Sequence, residues 1–190
     1  MRFFSIFCLV TTVVLATACD DSTRYQINPL LAADTVELWA PTPTTEGRPS
    51  AMDVIAFGGF IGGPRFPEQA RHAEAWDFAV RLRNGELVLV PPAALGLSSR
   101  AAITAPLPGT FEGLIEAPGN VAFRTDSIRP LRVGNIHSVR SRLTAGGMFG
   151  GGCEQYAKLQ VLAADPTTGR AQFAVVTNER CGDPRLVTEG

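Results

Sequence analysis

Trp76-Asp-Phe-Ala-Val-Arg-Leu-Arg-Asn84-Gly85-Glu-Leu-Val-Leu-Val90 reads as two strands folded back on each other. Asn-Gly is the favoured pair for a type I′ turn, because both central residues need positive φ. That turn sets the register. Leu82 faces Leu87 and Val80 faces Leu89 on one side, while Arg83 opposes Glu86 and Arg81 opposes Val88 on the other. One apolar face and one mixed face describe a half-buried hairpin.

Downstream, Tyr156–Leu162 and Ala171–Val176 flank Asp165-Pro-Thr-Thr-Gly169, a second hairpin by the same logic. Pairing Leu159 with Val175 and Val161 with Phe173 puts Cys153 opposite Cys181, with the parity of that face. Register and cysteine positions therefore agree on a Cys153–Cys181 disulfide that staples the open end of the hairpin.

Upstream, Val36 and Leu38 belong to one candidate strand and Met52–Phe57 to another, with the Pro- and Gly-punctuated segment 41–49 between them. Gly58-Gly59 and Gly62-Gly63 bracket Phe60-Ile61, which reads as a loop. Pro67–Glu74 and Thr110–Glu116 are the two candidate short helices. No long stretch carries a 3.6-residue apolar period. The expected fold is all-β: a single antiparallel β-sandwich-like domain over residues 33–190, with one or two short helices and one disulfide.

Of the 190 residues 45% are apolar, too many for a disordered polymer, and the length suits one domain. Lys+Arg is 17 against Asp+Glu 18, so no strong field gathers nucleic acid, which is not expected as a partner.

Met1-Arg2 precedes the uncharged run Phe3–Ala18, too short for a transmembrane helix and fitting a signal peptide over residues 1–18. Leu15-Ala-Thr-Ala-Cys19 resembles a bacterial lipobox, which implies lipidation of Cys19 and cleavage before it. Residues 19–32 then form the lipidated cysteine and a polar tether. The expected location is the bacterial cell envelope, exported from the cytoplasm and anchored to a membrane by lipid. Once Cys8 leaves with the leader and Cys19 carries lipid, Cys153 and Cys181 are the pair left to oxidise.

Catalytic chemistry finds little purchase. G-x-S-x-G and H-E-x-x-H are absent, the cysteines are used as a bridge, and nothing in the sequence pairs Asp53, Asp77, Asp126 or Asp165. His72 falls in the first candidate helix and His137 in a candidate strand, Val133–Arg142. The glycine-rich stretch Ala145–Cys153 lacks the G-K-[ST] of a phosphate loop and reads as a loop carrying Met148 and Phe149. Arg124, Arg129, Arg132, Arg140 and Arg142 form a local basic stretch, a solvated face or a carboxylate clamp.

Ala75-Trp-Asp-Phe-Ala-Val80, Val133-Gly-Asn-Ile136 and Tyr156-Ala-Lys-Leu-Gln-Val161 are scattered over roughly Trp76 to Val176. Together they resemble strands of the HmuY-like haem-binding lipoproteins. The resemblance implies an all-β module that captures haem through axial side chains. His137 would be one ligand, His72 or Met148 the other, with Arg140 near a propionate. The expected function is a non-enzymatic small-ligand-binding lipoprotein with haem as the leading cofactor. The rival is a structural or protein-partner module of the envelope without a small ligand, and a hydrolase is the weakest alternative.

Overall fold

A computed structural model describes residues 33–57, 60–144 and 152–187. The leader over 1–18, Cys19, the tether and Met148 lie outside the described residues. Chain order begins with β1 (Asp34–Trp39), β2 (Ala51–Phe57), β3 (Phe60–Arg65), β4 (Phe78–Arg83), β5 (Glu86–Val90) and β6 (Ala102–Thr104). It continues with β7 (Phe123–Arg124), β8 (Arg129–Pro130), β9 (Ile136–Arg140), β10 (Tyr156–Asp165) and β11 (Arg170–Asn178). Two antiparallel sheets result, ordered β1-β11-β10-β9-β6-β7 and β3-β2-β4-β5-β8.

Both hairpins adopt the expected registers. Leu82 pairs with Leu87 and Val80 with Leu89, and Asn84 and Gly85 both have positive φ, 51° and 78°. In the second hairpin Leu159 pairs with Val175 and Val161 with Phe173, before a bulge at Leu162 shifts the pairing by one residue. The Cys153–Cys181 disulfide closes its open end, with Cα atoms 5.4 Å apart.

The sheets face each other across one apolar core. Val36, Leu38, Val139, Leu159, Val161, Phe173 and Val175 come from one layer, and Val54, Phe78, Val80, Leu87 and Leu89 from the other. Phe78 meets Phe173 edge to face across the gap, ring centroids 6.0 Å apart.

Two local expectations are corrected. Phe60–Arg65 is an edge strand paired with β2, not a loop. Gly62 suits that strand because its bare Cα lies over Asp53, where a Cβ would come within 2.5 Å of the Asp53 Cγ. The helices shrink to 3-10 turns at Ala70–His72, Pro92–Leu95 and Asn120–Ala122 among the described residues. Segment 110–116 makes only a turn. There Thr110 Oγ1 accepts the Gly113 N–H, and the Phe111 and Leu114 carbonyls accept from Lys158 Nζ at 2.7 and 3.0 Å. Carbonyls so engaged are not propagating a helix.

That contact explains a third, thin layer. Lys158 projects from the outer face of β10 and is fully buried. Phe111 and Leu114 pack there on Ile136 and Val176, while Ala117 and Leu186 pack on Phe123 and Tyr156. The long β6–β7 connection is thus folded down over the sheet instead of running through solvent.

Candidate functional site

Asp53 on β2 and Asp77, just before β4, belong to one sheet; Arg142 leaves the end of β9 in the other. Stacking the sheets brings the three together. The Arg142 Nη1 and Nη2 donate to the two oxygens of Asp53 at 3.0 and 3.1 Å. Nη1 also donates to Asp77 Oδ2 at 3.1 Å, and the Arg142 backbone N–H to Asp77 Oδ1 at 2.7 Å. Arg65 Nη2 donates to Asp53 Oδ2 at 2.9 Å. Val54 N–H donates to Asp77 Oδ2 and Ile55 N–H to Asp53 Oδ1. Buried carboxylates persist only when paired and hydrogen-bonded in this way.

Gln155 makes a second bond between the layers. Its side chain accepts the Ala56 N–H at 2.7 Å and donates to the Ala56 and Glu179 carbonyls at 2.9 and 2.8 Å. Its own N–H donates to Ser141 Oγ at 2.9 Å. An amide suits this place because it offers donor and acceptor together.

Loss of water around Asp77 pushes its carboxyl up to about 6, with help from the Asp53 charge and against the pull of Arg142. Asp77 is wholly buried and Asp53 is 5% exposed. A hydrolytic acid–base pair needs a carboxyl open to substrate, so these two serve as an inter-sheet latch.

Arg142 is also where the latch meets the surface. A cleft of about 600 Å³ opens beside it, with Trp76, Pro92, Leu97 and Leu143 supplying apolar surface and Glu74, Ser98, Ser99 and Arg100 the polar remainder. Leu97 and Leu143 are 38% and 43% exposed, so the mixed wall keeps apolar surface open to solvent. The Trp76 indole is buried, its Nε1 donating to the Ala73 carbonyl at 3.0 Å.

The residues expected to grip haem are not gathered here. His137 lies on the inward face of β9 with Val139, fully buried. Its Nδ1 donates to the Thr104 carbonyl at 3.1 Å, which fixes the tautomer and leaves the Nε2 lone pair buried without a partner among the described residues. Burial holds the imidazole below its ordinary range, with the Arg129 charge adding to the effect against the Thr104 bond. Arg140 is on the opposite face of β9. Its guanidinium lies over the Phe123 ring, donates to Asn120 and to the Arg100 carbonyl, and pairs with Glu154. His72 is in the Ala70–His72 turn, stacked on Phe66, whose N–H approaches its Nδ1 at 3.4 Å. Neither histidine nor Arg140 lines the cleft beside Arg142.

The sequence reading missed the latch and the cleft. Arg142 and Asp77 stand apart in the sequence, and no spacing rule joins residues 65 positions apart. Trp76-Asp77 ahead of a strand is the available signal: a carboxylate set between a large indole and an apolar strand start. No protein-family model, curated protein or solved structure matches the chain.

Proposed function

We propose that the chain is an exported, lipid-anchored envelope protein whose β-sandwich binds a small ligand in the Trp76–Arg142 cleft without transforming it. The observation that carries this reading is the cleft itself: exposed Leu97 and Leu143 share its lining with the Ser98 and Ser99 hydroxyls and the Arg100 and Arg142 guanidinium groups. Apolar walls with a few convergent polar groups are the usual make-up of a small-molecule site. The disulfide supports an oxidising compartment, in keeping with the lipobox-like leader.

Haem is the ligand that the family resemblance suggests. An iron ligand from His137 would require the sandwich to open, because Nε2 has no exposed face. Haem in the cleft would instead rest on apolar and propionate contacts alone.

The experiment is an amide-shift screen of the domain from residue 33 onward with small apolar and amphipathic compounds, haemin among them. Saturable hits should map to residues 97–100 and 142–144. Hits elsewhere, or none, overturn the cleft reading, and an unchanged Soret band removes haem alone. Mass spectrometry of the native product tests the anchor: an acylated Cys19 is expected, and an unmodified start overturns it.

A further inference from the structure

Among the described residues, the Arg142 guanidinium is used on two sides and meets no acceptor on the third. The end-on pair of donors, one from each Nη, is taken by Asp53, and the remaining Nη1 hydrogen by Asp77. What is left is the side-on fork, Nε–H and the outer Nη2–H, with no acceptor among the described residues. Nε of Arg65 and of Arg129 is buried without a partner; Nε of Arg142 is not in that condition, and its side chain is 21% exposed on the cleft wall.

From this geometry we propose that the cleft takes a small organic carboxylate with an apolar body, its two oxygens seated on the Nε/Nη2 fork of Arg142. The proposal rests on the small-ligand reading above and names the ligand class. Two parallel N–H donors match the two oxygens of a carboxylate. The fork is held in place before the ligand arrives, since Asp53 and Asp77 grip the same guanidinium from behind, so little side-chain entropy is lost on binding.

Charge does not oppose it. Asp53 and Asp77 are balanced by Arg142 and Arg65; Arg100 and Arg140 share Glu154, which leaves one cationic charge beside the wall against the Glu74 carboxylate. Ser99 Oγ accepts the Ala101 N–H at 3.1 Å, which leaves its own hydrogen to donate. Leu97 and Leu143 are placed to cover the apolar body.

The test uses 4-phenylbutyrate and its neutral amide, titrated into the domain while the Arg142 Nε–H resonance is followed. The acid should move that resonance and bind at least about tenfold more tightly than the amide, the advantage of a charge-assisted fork. Leu143→Glu, a change at an exposed position, supplies a competing carboxylate at the rim and should weaken the acid about tenfold while the amide is little affected. Equal affinities for acid and amide at residues 97–100 overturn the carboxylate class and leave the cleft reading standing. An Arg142 Nε–H that stays still while the acid binds also overturns the proposal. Failure of both compounds to perturb the cleft counts against the two together.

Discussion

Asp77 and His137 are buried titrating side chains whose effects on stability run in opposite directions with pH. Asp77 titrates at about 6 in the folded chain against an ordinary 3.8, so the native state holds its proton more tightly. Its contribution is complete below about 3.8 and is lost as pH rises through about 6. His137 is held below 6.5, so its contribution is present above 6.5 and is lost as the solution is acidified. Just below about pH 6 the two slopes oppose each other. Asp77→Asn should therefore expose the histidine slope. Urea unfolding of that variant should gain stability with rising pH more steeply than the parent, and parallel profiles would refute the assignment. Little of this was legible in the sequence. An aspartate in a strand-flanking position and a histidine with strand parity are visible there, but desolvation is a property of what packs over them.

Among the elements, legibility tracked local chemistry. The hairpin around Asn84-Gly85 was read to the residue because the turn dictates register, and the β10–β11 hairpin because alternation and the cysteines agreed. β3 was missed because Gly-Gly punctuation looks like a loop, whereas glycine is required where Asp53 presses on the backbone. The 110–116 turn was mistaken for a helix because its partner, Lys158, is more than forty residues away. Two predictions belong at this scale. Lys158→Met leaves the Phe111 and Leu114 carbonyls without their donor, at a cost of roughly 1–3 kcal/mol. Hydrogen exchange should quicken in residues 107–118 and spare β10 and β11, while uniform acceleration would refute a local pinning role. Replacing Cys153 and Cys181 together by Ser frees a loop whose ends are 28 residues apart in sequence, which the chain-entropy model values at roughly 3–4 kcal/mol. A urea midpoint that does not move would show that the β10–β11 ladder holds its open end unaided.

At the scale of the molecule, the two sheets are joined by the shared apolar core and by Arg142, whose partners Asp53 and Asp77 are 89 and 65 residues away in sequence. The layered architecture was legible from strand periodicity, but the latch exists only after the layers stack. Its energetics are those of a buried ion cluster: desolvation offsets much of the attraction, yet removing one member strands the others. Arg142→Met should consequently destabilise the domain by about 3–5 kcal/mol at pH 8, where both carboxylates are charged and left only Arg65. The penalty should shrink at pH 5, below the Asp77 titration near 6, where that carboxyl is largely protonated with or without Arg142. Adding Asp53→Asn and Asp77→Asn to Arg142→Met removes the stranded charge. Urea unfolding should then recover much of the loss, and the pH dependence that the carboxylates impose should vanish, leaving the His137 slope. If the triple variant is no more stable than Arg142→Met, the cost lies in lost packing or hydrogen bonds between the sheets, and the latch is not electrostatic. If Arg142→Met costs nothing at either pH, the apolar core and Gln155 hold the layers without it, and Arg142 is free to be read purely as a ligand-facing group.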